Sequence, residues 1–171
     1  VEASAADEHV SPELLPTEAV TVIARRKGEA VFHKGHQHDL VISADTIVVV
    51  DGSILGKPAD PGDAARMLRA LSGREHQVYT AVWVFSQTGE EHFVCGTTVR
   101  FNPLTEEEIA GYVASGEPMD KAGAYGIQGL GSRFISGIEG DYFNVMGLPV
   151  SRLYQILREK LGNLDFCRKN A

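Results

Sequence analysis

The stretch GEPMDKAGAYGIQGLG, Gly116 to Gly131, excludes long regular structure from the centre of the C-terminal half. It holds too many glycines for a buried helix and too few regularly spaced apolar residues for a strand. Glycine lets a backbone turn sharply and approach a ligand closely. Loops of this kind carry functional groups when rigid elements hold their ends. Asp120, Lys121, Tyr125 and Gln128 bring a carboxylate, an ammonium, a phenol and an amide into this one segment. A plain connection has little use for all four, so the segment is a candidate binding loop.

The flanking sequence supplies the rigid elements. Pro16 to Val31 reads as a helix opened by Pro16 and Thr17, with Ala19, Val20, Ile23 and Ala24 on one side. Val41 to Val50 is rich in β-branched residues, and Asp51-Gly52 before Ser53-Ile54-Leu55 is a hairpin signal. Asp60 and Pro61 start a second helix with Met67, Leu68 and Leu71 as its stripe, and Gly73 lies just past its end. Gln77 to Phe85 and Glu91 to Asn102 read as strands joined around Thr88-Gly89. Thr105 to Glu108 is a capping box for a helix to about Ala114. Phe134 to Ile138 suggests a short strand. Val150 to Leu161 is expected to close the core as an amphipathic helix, with Val150, Leu153, Tyr154, Leu157 and Leu161 on the buried face. Strands and helices intermix, so the fold class is α/β or α+β, with a mixed sheet and flanking helices.

A chain of 171 residues with 43% hydrophobic and 23% charged residues suits one ordinary domain, here 1–171. Its formal charge of −7 argues against non-specific binding to nucleic acid or an anionic membrane. No apolar run reaches the length of a membrane span. Val1 to Val10 has no signal-peptide character. Cys95 and Cys167 lie far apart without a CxxC partner, which fits a reducing cytoplasm better than a disulfide or zinc site. The chain begins without Met and is expected to be a piece lacking upstream residues.

Asp45 interrupts the apolar run VISADTIVVV. A carboxylate there is costly to desolvate unless it meets a cation, a metal or several donors. The alternative is a strand-end residue bonded to a neighbouring turn. Lys57, between Gly56 and Pro58, has its direction partly set by a stiff backbone. Alone it reads as a surface lysine, as do Lys27 beside Arg25 and Arg26, and Glu8 reads as a solvated carboxylate. Asp120-Lys121 reads as a turn ion pair, and Tyr142 and Asn144 as packing and turn residues. His33, His36 and His38 belong on an exposed connection. Taken together, carboxylates, lysines and an amide without a nucleophile suit phosphoanhydride hydrolysis, one option among several. A divalent cation and lysines neutralise phosphate charge, and an amide reads a base edge through its donor and its acceptor.

SADTIVVVDGSILGKPAD, DAARMLRALSGREHQVYTAV, SGEPMDKAGAYGIQGLG and GDYFNVMGLPV closely resemble the Maf proteins, nucleoside-triphosphate pyrophosphatases also described as septum-formation inhibitors. The match runs from about Glu8 to the final helix. The resemblance implies two lobes around a cleft, and a fold related to the house-cleaning inosine-triphosphate pyrophosphatases. It implies cleavage between the α and β phosphates with Mg²⁺ or Mn²⁺, and a homodimer. Members with ADT and GIQG prefer dTTP and UTP, so Asp45-Thr46 and Gln128 point to that branch. Residue by residue, Asp45 matches the proton acceptor and metal partner, and Glu8 and Lys27 match an upstream carboxylate and lysine. Lys57 matches a phosphate contact, and Gln128 the amide that helps choose the base, with Lys121 and Thr46 beside the substrate. Glu8 and Asp45 are thereby the expected metal ligands. Which of them activates water stays open, because a general base must lie within hydrogen-bond reach of its water.

Two departures stand out. The family opens with a strand and a Ser-x-Ser-Pro-Arg-Arg loop at a helix start, a phosphate-binding arrangement, and nothing like it precedes Glu8. If the chain starts at Val1 it lacks an arginine expected to grip the triphosphate, and losing such a charge-assisted contact would be expected to cost at least about 1.5 kcal/mol of binding. Arg26 stands where many members carry an acidic residue. The absent loop favours one alternative, a nucleotide-binding protein without turnover that regulates division, and a purine house-cleaning enzyme is a separate, weaker one.

Overall fold

Five strands and five helices build the chain in a computed structural model that describes residues 1–4 and 6–161. The strands are β1 (Val41–Val50), β2 (Ser53–Leu55), β3 (Glu75–Ser86), β4 (Gly89–Phe101) and β5 (Ile135–Glu139). They form one sheet in the order β2-β1-β3-β4-β5. Every described strand pair is antiparallel, so the intermixing expected from the sequence lies in the order of helices and strands. Short turns explain this: Asp51-Gly52 reverses β1 into β2, and Gln87-Thr88 reverses β3 into β4. β2 is short and pairs only with Val48–Val50, which leaves the earlier part of β1 beyond its reach.

The period-two pattern of β1 and β3 feeds two cores. Ile47 and Val49 of β1 and Ala81, Trp83 and Phe85 of β3 face α1 (Pro16–Phe32), whose Val20 and Ala24 complete that layer. Val48 and Val50 face the opposite side, against α2 (Pro61–Leu71) and α3 (Glu106–Ala114) through Leu68, Leu71, Ile109 and Tyr112. Both helices start as expected, with Asp60 accepting from the Asp63 amide and Thr105 from the Glu108 amide. Helix α1 starts at Pro16, with the Glu18 carboxylate accepting the Leu15 N–H.

The final helix, α5 (Val150–Leu161), follows the short α4 (Tyr142–Val145). Its buried side differs from the expected one. Leu153 packs on Val82, Val84 and Phe93, with Ile156 and Leu157 beside it, whereas Val150 and Tyr154 are 45% and 48% exposed. A stripe shows which residues share a side of a helix, and the sheet presented to α5 selects which edge of that stripe is covered. The side chain of Leu161, expected on the same face, and Cys167 lie outside the described residues. Among the described residues, no helix is long and apolar enough to cross a membrane.

Candidate functional site

Asp45 shares the side of β1 that carries Ile47 and Val49, so it points beneath α1 rather than into solvent. Its carboxylate is 13% exposed and receives the Lys27 ammonium at 2.6 Å. The same ammonium reaches Glu8 Oε1 at 2.9 Å. A close helix–sheet approach makes this possible. A Cβ on Gly28 would sit 2.1 Å from the Phe85 ring and 2.5 Å from Ser43 Oγ, so only glycine lets α1 come this near. Ser43 Oγ also donates to the Ala24 carbonyl at 2.7 Å, tying helix to strand. The Arg26 guanidinium donates to the Asp7 and His9 carbonyls at 3.3 and 2.6 Å, on either side of Glu8. Arg26 therefore holds the segment that carries Glu8.

The electrostatics follow from partial burial. Burial pushes the Asp45 carboxyl above its usual range and outweighs the opposing pull of Lys27. Burial also pulls the Lys27 ammonium down, but its hydrogen bonds to Asp45 and Glu8 outweigh this and leave it raised. A salt bridge alone would lower the carboxyl, so the raised Asp45 marks desolvation as the stronger effect. The result is a carboxylate with more than ordinary proton affinity, held beside a firmly charged ammonium.

Beyond the reach of β2, the edge of β1 opens into a cleft of about 650 Å³. Glu8, Lys27, Asp45, Thr46, Lys57, Lys121 and Gln128 all line it. The hairpin carries Lys57 to the rim, and the Gly123 amide donates to the Gly56 carbonyl at 3.0 Å, joining the glycine-rich loop to that corner. Among the described residues, neither Lys57 nor Gln128 makes a hydrogen bond or ion pair; the Lys57 ammonium acts on Asp45 and Asp120 through longer-range attraction, and the exposed Gln128 lines the hollow beside it. Lys121 is partly committed, donating to Asp120 Oδ1 at 2.6 Å and to the Glu117 carbonyl at 3.0 Å. Thr46 lies on the other face of β1, its hydroxyl 2.8 Å from that of Thr80.

The loop expected to be irregular is a chain of short 3₁₀ turns at Glu117–Asp120, Ala122–Ala124 and Gly129–Phe134. Tyr125 has a structural place there: its hydroxyl lies 2.8 Å from Nε2 of the buried His76. Burial alone lowers the His76 pKa to about 4, so the ring is neutral at ordinary pH. Asn144 is buried and donates to the Val78 carbonyl and Thr97 Oγ1, the packing role expected for it. His33, His36 and His38 lie on the α1–β1 connection, with His36 between Glu2 and Asp39.

Sequence reasoning missed Glu117 and Tyr112. The Glu117 carboxylate accepts from the Tyr112 hydroxyl and from the Leu130 and Gly131 amides. The available signal was a carboxylate opening a glycine-rich loop just after a helix that ends in an aromatic turn.

No group of three or more His, Cys, Asp or Glu side chains gathers as a metal cage among the described residues. Glu8 and Asp45 do fit a hard divalent cation that takes its other ligands from phosphate oxygens and water, as Mg²⁺ commonly does. The Lys27 ammonium bridges both carboxylates, so a cation held there would share or displace its contacts.

A family model described as Maf-like protein matches residues 1–160. Among curated proteins, a dTTP/UTP pyrophosphatase of a Geobacillus species is 54% identical over 150 residues, covering 88% of this chain and 80% of its own length. Its counterpart in Carboxydothermus hydrogenoformans is 53% identical, covering 85% and 79%. That of Syntrophomonas wolfei is 51% identical, covering 92% and 84%.

Proposed function

The chain belongs to the Maf-like protein family, and from that premise we propose that it is a nucleoside triphosphate pyrophosphatase acting on dTTP and UTP. The observation that carries this reading is the meeting of Asp45, Lys27 and Glu8 with Lys57 and Gln128 in one cleft. Relatives at about half identity that carry the same activity in their names support the substrate.

In the reaction, a water oxygen attacks the α phosphorus and Asp45 takes its proton. The bond to the oxygen bridging the α and β phosphates breaks, and pyrophosphate leaves with that oxygen. Asp45 suits the base role because its raised proton affinity lets it accept a proton that an ordinary carboxylate holds poorly. Lys27 orients Asp45 through their 2.6 Å contact. Lys57 and Lys121 stabilise charge gathering on the leaving phosphates. Gln128 pairs its amide with the base edge, and Thr46 shapes the neighbouring wall. Mg²⁺ or Mn²⁺, when bound at Glu8 and Asp45, supplies further neutralisation of phosphate oxygens.

Pyrophosphate release with each nucleotide and Mg²⁺ or Mn²⁺ tests the reading. Faster hydrolysis of dTTP and UTP than of purine triphosphates is expected, and equal rates or a purine preference would overturn it. A second reading, nucleotide binding without turnover in the control of division, is favoured by one observation. Lys27 occupies both carboxylates that a cation would need. Tight UTP binding with no pyrophosphate released would select it. The chain acts in the cytoplasm, where Cys95 stays a thiol. It works as a homodimer, for which the exposed Phe143, Met146 and Leu148 offer an apolar contact, and light scattering decides that assembly.

A further inference from the structure

The loop that carries Gln128 is held at both ends by one pair of side chains. On the near side, the Gly126 amide donates to the Tyr112 hydroxyl at 3.2 Å. On the far side, the Leu130 amide donates to Glu117 Oε2 at 3.0 Å, and the Gly131 amide to Glu117 Oε1 at 3.1 Å. The two holders are joined, since the Tyr112 hydroxyl donates to Glu117 Oε1 at 2.9 Å. Tyr112 itself is immobilised in the core, fully buried on α3 against Phe134. Only Ile127, Gln128 and Gly129 lie between the clamped amides.

Hydrogen bonds to an ionised carboxylate are stronger and shorter than neutral ones, so Glu117 makes a stiff anchor. Burial works to raise the Glu117 carboxyl, but the Leu130 and Gly131 amides and the Tyr112 hydroxyl outweigh it and hold it below its usual range. The Glu117 carbonyl also accepts from Lys121 at 3.0 Å, so the same residue places a second cleft group. By contrast, the Gln128 side chain is exposed and bonded to nothing among the described residues. The design fixes the backbone beneath an amide and leaves the amide itself available.

We infer that Tyr112 and Glu117 are positioning residues for base selection, setting where the Gln128 amide meets the nucleobase. The inference rests on the cleft being a nucleotide site, as proposed above. Tyr112→Phe keeps the buried ring but removes the shared hydroxyl, and Glu117→Gln keeps the shape but turns an amide donor toward one of the loop amides. Each variant is compared with the unaltered protein in kcat and KM for UTP, dTTP, ATP and GTP.

Both changes lower the preference for pyrimidine over purine triphosphates, by roughly tenfold for one lost charge-assisted hydrogen bond. The loss falls on KM, because Asp45 and Lys27 are untouched. In a Gln128→Ala background, Tyr112→Phe changes the preference by no more than about twofold, because coupled groups are non-additive. Variants that melt like the unaltered protein and keep its full preference, while Gln128→Ala loses it, overturn the inference and leave the pyrophosphatase reading standing. An unaltered protein with no pyrimidine preference sinks that earlier reading instead. A measurement independent of turnover covers variants that fail to fold: amide exchange at Gly126, Leu130 and Gly131 in the native protein. Slow exchange at all three supports the brace, and fast exchange overturns it.

Discussion

Replacing Lys27 with Met removes the one ammonium shared by Asp45 and Glu8 while keeping an unbranched side chain of similar length. The Asp45 arm is the expensive one, since its carboxylate is 13% exposed and the Lys27 side chain 23%. Breaking a fully buried pair costs about 3–5 kcal/mol. An exposed pair such as Lys27–Glu8, with Glu8 62% exposed, contributes about 0–1 kcal/mol. The partly solvated Asp45 contact falls between these, so the expected loss is roughly 1.5–3 kcal/mol at neutral pH. With a urea slope of about 2 kcal/mol per molar, the unfolding midpoint drops by about 1 M. The pH dependence gives the sharper test. Lys27 lowers the Asp45 pKa against the rise caused by burial, so removing it raises that pKa further. A carboxyl raised in the folded state lends stability below its unfolded pKa and loses it as pH rises through the folded pKa. The penalty is therefore largest at neutral pH and shrinks as acid protonates Asp45. The acid limb of kcat/KM moves to higher pH for the same reason. A penalty that stays below about 0.5 kcal/mol, or one that does not change with pH, refutes the assignment of Lys27 as the partner of a desolvated carboxylate.

Asp45→Asn lowers turnover by about 10²–10⁴-fold while leaving the melting temperature unchanged or slightly raised, because a charge is no longer buried. Retention of more than about a tenth of the activity dismisses Asp45 as the base. Gly28→Ala forces a methyl group onto the Phe85 ring and Ser43, costing about 1–3 kcal/mol in thermal unfolding. It also lowers kcat by lifting Lys27 from Asp45, and a stable, fully active variant contradicts the close-approach account. The His76 pKa is depressed to about 4, so His76 lends stability that is full above its ordinary 6.5 and is lost as pH falls toward 4. The slope reaches about 1.4 kcal/mol per pH unit. His76→Gln flattens that stretch of the stability–pH curve, and an unchanged curve rejects His76 as its source.

Much of the fold is legible along the chain because its signals are local. Ten residues of β-branched character ending in Asp51-Gly52 specify a strand and its reversal whatever lies nearby. Asp60 and Thr105 cap α2 and α3 through amides three residues ahead. The glycine-rich segment declares itself a loop by composition, and its tie to Glu117 depends on hydrogen bonds across 13 and 14 positions of sequence. Helix α5 shows the boundary between the two kinds of information. Its amphipathic stripe is plain in the sequence, yet Val150 and Tyr154 stay exposed because the sheet covers only part of it.

The same boundary runs through the site. Residue types alone leave phosphate chemistry one option among several, because charge and hydrogen-bonding capacity belong to each side chain without its neighbours, and it is the resemblance of the surrounding motifs that nominates Asp45, Lys57 and Gln128. Whether Asp45 is a solvated strand-end residue or a desolvated carboxylate depends on the company it keeps. That company is set by α1 lying close enough, over Gly28, for an ammonium from a remote helix to arrive within 2.6 Å. Desolvation and Coulomb attraction act through space, so no reading along the chain can supply the separations on which both depend.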